Sequence, residues 1–295
     1  MRVLCVPNWS FGRDRGLLRQ VRDDLDARPI AVHFCESDTD HNRTVTAFSG
    51  APGDVVAALQ ALADRIVPCI DLNRHVGVHP RVGALDVCPF IRLGDTPGEP
   101  SPHDPSADRT MDQTVDSFAA WFADRFEVPV FLYEKSERGR HEADLPSLRR
   151  GGFGGLLGRT LHSDYGPRSA HPRYGIAVMG ERDWLIALNV DLHEETPAVA
   201  KRIAADIRRM REEGEARFLG VRALGLYLAT AGVSQVSMNL TLPDRTPVDP
   251  IVEWVADQAK AAGSAVARTQ LVGVIARRHL EWTTRVPVRP EQIVD

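Results

Sequence analysis

The sequence predicts an α+β fold made of two β-α-β-β-α-β units joined by an irregular insertion. Three observations carry that expectation. Short apolar runs alternate with longer segments whose apolar residues recur at helical spacing. The order strand-helix-strand-strand-helix-strand runs once through residues 2–91 and again through residues 183–276. The stretch between them is rich in Gly, Pro and Arg and has little periodicity. A repeat of that order points to a duplicated ferredoxin-like architecture, with one subdomain at residues 1–178 and the other at residues 179–295. The two halves share this pattern without visible sequence identity.

In the first half, Arg2 to Val6 is a short apolar strand. Arg15 to Ala27 places Leu17, Leu18, Val21 and Leu25 on one helical stripe. Pro29 to Cys35 and Thr44 to Ser49 are the next strands, and Gly53 to Ile66 is a helix with Val55, Val56, Leu59, Leu62 and Ile66 inward. Ala84 to Ile91 closes the unit. Gly94 to Arg109 reads as a surface loop rich in Pro, Asp and Ser. Met111, Val115, Phe118, Phe122 and Phe126 mark a helix, and Val128 to Tyr133 a strand extending the first sheet. Glu134 to Gly175 is an aperiodic region whose length suggests function or disorder. In the second half, Asp183 to Val190 is a strand, followed by a helix with Thr196 as N-cap and Pro197 in its first turn. Leu219 to Leu228 and Gln235 to Leu240 are strands. The last helix takes Asp249 as N-cap and Pro250 at its first position, and Gln270 to Ala276 is the final strand.

Composition narrows the function classes. The net charge of −4 gives no reason to expect nucleic acid or an anionic membrane as partner. No apolar run approaches the roughly 20 residues of a membrane span. The N-terminus turns polar too early for a signal peptide. Cys5, Cys35, Cys69 and Cys88 are widely spaced, without a Cys-x-x-Cys pair, and read as free thiols, which favours the cytoplasm.

The chemistry concentrates between Arg74 and Asp86, where His75, His79, Arg74, Arg81 and Asp86 share a loop punctuated by Gly77, Pro80 and Gly83. Titratable groups on a loop anchored by a buried strand are a common way to build an active site. The spacing of His75 and His79 invites a zinc reading, but Gly77 and Pro80 break the helix that such a pair needs, so no metal is expected. A histidine that titrates near neutrality suits proton transfer. His79 is better placed than His75, because Pro80 restrains the backbone and Arg81 is adjacent. On residue types alone both also read as hydrogen-bonded loop histidines. The acidic loop Glu36 to Arg43 holds Glu36, Asp38 and Asp40. A carboxylate from it is expected to orient His79 as the acid does in a catalytic triad; the plain alternative is a solvated turn.

Gly151 to Gly155 is a glycine-rich loop without the Lys-Ser/Thr of a phosphate loop. The segment Gly166, Pro167, Arg168, Ser169, Ala170, His171, Pro172, Arg173, Tyr174 and Gly175 combines stiff prolines, permissive glycines, cations and rings. It suits a planar, carboxylate-bearing ligand, or serves as a linker. Ser237, Asn239 and Thr241 alternate along one polar strand face, which lines a cleft or faces solvent.

The run His75-x-Gly-x-His79-Pro80-Arg81-x-Gly83-Ala84-Leu85-Asp86-Val87-Cys88-Pro89-Phe90 closely resembles the formiminotransferase domain of glutamate formimidoyltransferases. Cys5-Val6-Pro7-Asn8, Asn42-Arg43-Thr44-Val45, Gly166 to Gly175, Trp184 to Asn189, Val236 to Leu240 and Gln270 to Gly273 fall in the family's order. The resemblance implies two related α/β subdomains, a homodimer, and transfer of a formimidoyl (or formyl) group between N-formimidoylglutamate and tetrahydrofolate. The family's usual setting is histidine degradation. The resemblance also implies that His79 is the catalytic histidine and that Gly166 to Gly175 binds folate. An acid at the end of the second strand is its partner, Glu36 in the gapless match with Asp38 and Asp40 as competitors. Asn8, Arg43 and Arg81 are expected to bind substrate, the arginines by its carboxylates. No fused cyclodeaminase domain is expected, since the chain ends soon after the second half. Two departures stand out: Phe11 and Val78 occupy positions where the family carries acids. They raise a second reading, the same chemistry on a non-glutamate amine in a specialised biosynthetic pathway. A third is a non-catalytic folate-binding protein.

Overall fold

The computed structural model describes residues 1–94 and 105–295. The chain is a mixed α+β protein of two compact units, Met1–Arg182 and Asp183–Asp295. The expected boundary at residue 178 falls inside a strand.

The first unit runs β1 (Arg2–Cys5), β2 (Asn8–Trp9), α1 (Arg15–Asp26), β3 (Ala31–Asp38), β4 (Arg43–Gly50), α2 (Pro52–Ile66), β5 (Leu85–Leu93), α3 (Pro105–Phe126), β6 (Val130–Leu132), α4 (Leu145–Leu148) and β7 (Ala177–Glu181). Asp14 caps α1 by accepting the Leu17 N–H at 2.9 Å. Pro52 opens α2, where its missing donor costs nothing. The apolar stripes of α1, α2 and α3 bury Leu18, Val21, Leu59, Leu62, Phe118 and Phe122 against Cys5, Trp9, Phe48 and Phe90 of the sheet. At about 1.5–3 kcal/mol per large apolar side chain, this layer is the main source of the unit's stability.

Strands β5, β1, β4 and β3 lie side by side in that order, all antiparallel. Pro7 interrupts the first strand, and β2 resumes its place between β4 and β5. β7 then joins β5 in parallel, and β6 joins β7 in parallel. The strand β7 is not foreseen by periodicity. Its apolar run, Ala177 to Met179, is short and is followed at once by Gly180 and charged residues. Residues 95–104 of the expected loop lie outside the described residues, and residues 105–109 are helical, as the first turn of α3.

The helix-free face of the sheet is covered on its β5–β7 side by the irregular region. Leu148, Leu156, Leu161, Ala170 and Ile176 pack there on Val87, Phe131, Tyr133 and Val178. The region lacks periodicity because turns carry it. Its short α4 and Gly151 and Gly152, both at positive φ, fold the chain back on itself.

The second unit runs β8 (Ile186–Leu192), α5 (Ala198–Glu212), β9 (Val221–Leu228), β10 (Val233–Leu240), α6 (Val248–Ala261), β11 (Val266–Val272), β12 (Ile275–Ala276) and β13 (Ile293–Val294). Its four-stranded sheet has the order β11-β8-β10-β9, antiparallel throughout, and β12 pairs with β13. Ile203, Ile207, Ile251 and Val255 of the two helices meet Leu188, Val190, Val236 and Met238. Both expected caps move by one or two residues: Pro197 and Pro247 occupy the N-cap positions. Asp249 instead accepts N–H groups of Thr284 and Arg285, each at 2.9 Å, so it ties down the C-terminal segment. The expected strand over Gln270 to Ala276 divides at Gly273, whose φ of 82° turns the chain between β11 and β12. On β10, Ser237 is half-buried and Asn239 exposed.

Candidate active site

Three chain segments meet at the turn between β3 and β4. Asp38 accepts the His41 N–H at 2.7 Å and closes the turn. Asn42 adopts φ 48°, a left-handed conformation that asparagine tolerates. Its amide accepts the Gly12 N–H at 2.8 Å and donates to the Val76 carbonyl at 3.0 Å. The Val78 N–H reaches the Asp40 carbonyl at 3.0 Å, and His75 Nε2 donates to the Asn42 carbonyl at 2.8 Å. These approaches demand glycine. A Cβ on Gly77 would lie 2.3 Å from the His41 carbonyl oxygen, and one on Gly12 would lie 2.2 Å from that of Asp38.

His79 stands at this junction. Its Nδ1 donates to the Pro80 carbonyl at 2.8 Å, which leaves Nε2 as an acceptor for Arg43 Nη1 at 3.1 Å. The ring stacks on buried His41, with centroids 5.5 Å apart. Burial, reinforced by Arg43, Arg149 and His41, holds the His79 pKa well below the ordinary histidine value. It is therefore neutral at neutral pH, with the Nε2 lone pair toward Arg43. Burial and repulsion by Arg149 lower Arg43 itself to about 10, with Asp86 and Asp38 opposing. His75 is lowered to about 4 by burial and by Arg81.

Among the described residues the His79 ring bonds to Pro80 and Arg43, so a backbone carbonyl sets its tautomer. The ladder sets Glu36, Val45, Asn8 and Val87 in one row across β3, β4, β2 and β5, with Asp38 and Arg43 in the next. Paired residues project to one side of a sheet, so Asn8, Glu36, Asp38 and Arg43 share the face opposite α1 and α2. The Asn8 amide donates to the Val6 carbonyl at 3.1 Å. Asp40 contributes its backbone carbonyl to the junction.

Arg81 lies in the histidine loop itself. Its guanidinium donates to His75 Nδ1 and to the carbonyls of His75, Gly77 and His79, the second at 2.8 Å. These bonds brace the histidine loop from within. Neither His75 nor His79 presents a nitrogen that is not already hydrogen-bonded.

Two further residues belong to the site. Asp86 is buried on β5 and accepts the Val82 N–H at 2.7 Å and a short bond from Arg149. A lone carboxylate within the apolar run from Ala84 to Ile91 is a legible signal for such a role. Arg149 lies in the aperiodic region and gives no such signal. The glycine-rich loop after it docks on the same place, with the Phe153 N–H on the Arg81 carbonyl at 3.1 Å.

The segment Gly166 to Gly175 packs beside the histidine loop. Gly175 has φ 71°, and a Cβ there would lie 2.0 Å from the Val82 carbonyl oxygen. The Ala84 N–H bonds the Tyr174 carbonyl and the Leu72 N–H that of Arg173, at 2.9 and 3.0 Å. His171 Nδ1 accepts the N–H groups of Arg173 and Tyr174, and its ring stacks on Tyr174 at 4.4 Å. Arg173 donates to the carbonyls of Ile70 and Pro68. Pro172 holds Asn73 through its carbonyl at 2.8 Å, and Pro167 accepts the Ser163 hydroxyl at 2.9 Å. Ala170 is buried, while Arg168 and Ser169 are exposed.

A neutral, anchored histidine beside two guanidinium groups, on the strand ends of an α+β sheet, defines a site equipped for proton transfer on an anionic substrate. The chain belongs to the formiminotransferase domain family: residues 2–182 match its N-terminal subdomain and residues 187–292 the formiminotransferase domain. It is 33% identical over 288 residues to a formimidoyltransferase-cyclodeaminase of Sus scrofa, covering 94% of this chain and 51% of that protein. It is 30% identical over 285 residues to a glutamate formimidoyltransferase of Thermoplasma acidophilum, covering 94% of this chain and 89% of that one. A glutamate formimidoyltransferase of Streptococcus pyogenes is 29% identical, with 94% and 90% covered. The chain thus spans about half the length of the cyclodeaminase-bearing relatives and most of the shorter ones.

Proposed function

We propose that this protein transfers a formimidoyl group between N-formimidoylglutamate and tetrahydrofolate, with His79 as the proton carrier. The observation that carries the reading is the His79 geometry: Nδ1–H is committed to the Pro80 carbonyl, and Nε2 keeps its lone pair. Tetrahydrofolate supplies a secondary amine, N5, as acceptor. Transfer makes a bond from N5 to the amidine carbon and breaks the bond from that carbon to the glutamate nitrogen. The electron pair of the broken bond leaves with that nitrogen, which needs one proton, and N5 loses one. His79 Nε2 takes the proton that N5 loses and delivers it to the departing glutamate nitrogen. The Pro80 carbonyl steadies the ring while it carries charge.

The Gly166–Gly175 segment suits folate in two respects. The stacked His171 and Tyr174 offer a flat π surface, and Arg168 is an exposed cation for a carboxylate tail. The strand orders β5-β1-β4-β3 and β11-β8-β10-β9 support reading the two units as copies of one ferredoxin-like motif. A homodimer and a cytoplasmic location complete the reading; four free thiols support the latter.

The test is a transfer assay with tetrahydrofolate and N-formimidoylglutamate, which should yield formimidoyltetrahydrofolate and free glutamate. No transfer with this pair overturns the reading. A second reading keeps the chemistry and changes the amine. Val76 and Val78 precede His79 in sequence and are 69% and 39% exposed, an apolar lip that suits a less polar donor. Preference for an apolar formimidoyl amine in the same assay would select it.

A further inference from the structure

Arg43 carries five N–H donors and, among the described residues, spends one of them, on the neutral Nε2 of His79. The same nitrogen must take and give the proton if His79 is the carrier. In this arrangement Arg43 therefore caps the base it sits beside. Arg149 is the second cation of the cluster, held by buried Asp86. It acts on Arg43 and on His79 alike. The other charged and titratable groups around the ring are His41, with Asp38 closing its turn, and the His75–Arg81 brace.

We infer that Arg43 and Arg149 form a seat for a carboxylate of the amine substrate, and that filling this seat draws Arg43 away from His79 Nε2 and so uncovers the base. A carboxylate offers Arg43 a charged, bidentate acceptor in place of a neutral nitrogen, which is the stronger bond. Moving the cation from Nε2 to an anion also lets the His79 affinity for a proton rise when substrate is present. The base is then masked in the empty site and unmasked in the filled one. The inference rests on the formimidoyl-transfer reading for the identity of the donor, and for the seat on the Arg43–His79 and Arg149–Asp86 bonds together with the repulsion between the two guanidinium groups.

The test is a pH titration of the His79 ring by nitrogen-15 NMR, using the protein with no addition, with L-glutamate and with succinate. Both carboxylates should raise the His79 midpoint. In Arg43→Gln the midpoint should already be higher than in the parent protein and should respond less to either compound. Arg43→Lys should restore part of the response. Transfer kinetics give a second readout. For N-formimidoylglutamate, KM should rise about 10- to 100-fold in Arg43→Gln and in Arg149→Lys, the loss of one charge-assisted contact. With formamidine, a donor without carboxylates, the rise should be smaller by on the order of tenfold. Arg149→Lys keeps a charge for Asp86, so that a folded protein is tested. The inference is overturned if neither carboxylate moves His79, if Arg43→Gln titrates like the parent, or if both donors suffer equally. Absence of transfer by the parent protein would overturn the functional reading, while the NMR arm would still decide the seat.

Discussion

At His79, burial and neighbouring cations keep the ring neutral, so the base form persists through neutrality and is lost only as pH falls well below the ordinary histidine value of 6.5. The acid limb of kcat/KM for transfer should accordingly lie below that value, and a limb at or above it would contradict the described geometry. His79→Gln should lower kcat by on the order of 10²–10⁴, the usual loss of a general acid–base group, with circular dichroism unchanged. Asn42 shows how a residue outside the chemistry holds the site. Its amide makes two bonds between different segments at a left-handed φ. Asn42→Ala should destabilise the protein by about 1–3 kcal/mol in urea unfolding and reduce transfer, because two backbone partners lose their bonds. His79 was legible as the candidate proton carrier from its loop and from the motif around it. Its partners were not: Arg149 is remote in sequence, and the Pro80 carbonyl is a backbone group that no residue pattern announces.

The helices and strands around the site follow from their own sequences. The stripe Leu17, Leu18, Val21, Leu25 predicts α1, and all four side chains are buried as a helix with that face inward requires. Strand β7 escaped because Ala177 to Met179 is too short an apolar run to assign, and its pairing between β5 and β6 is a long-range event. Between elements, glycine enforces close approach. Gly83 bridges Gly175, and a Cβ on it would lie 1.8 Å from the Ile176 carbonyl oxygen. Gly83→Ala should cost about 1–3 kcal/mol in thermal or urea unfolding, through backbone displacement next to the histidine loop. The irregular region carries its own clasp. His141 Nε2 meets the buried Asp164 carboxylate at 2.8 Å, and Asp164 also accepts the Leu132 N–H of β6. Burial lowers the His141 pKa, but the bond to Asp164 and its other partners outweigh this and raise it above 6.5. Its stabilising effect is therefore complete below the unfolded value and fades as pH rises through the raised folded value. Urea midpoints should fall across that window in the parent protein and fall less in His141→Gln.

For the whole molecule, all four cysteines lie in the unit Met1–Arg182, which makes thiol labelling a monitor of that unit. Cys69 is exposed and should react at once with a disulfide reagent. Cys5 and Cys88 are fully buried and should react only when the unit opens. Cys35 should lag behind Cys69, since burial pushes its thiol up to about 11. Rapid labelling of all four in native buffer would contradict the packing described here.

By itself the sequence determined the alternation of strands and helices, the apolar faces that make two cores, the histidine loop and its likeness to a known family. These are local properties, set by periodicity, capping and motif within a few turns of chain. Only the tertiary structure decided that β7 enters the first sheet, that Arg81 braces its own loop, and that Arg43 and Arg149 converge on His79. Those outcomes depend on which segments come together across tens of residues. They are set by the geometry of buried hydrogen bonds and charges, which a linear pattern does not encode.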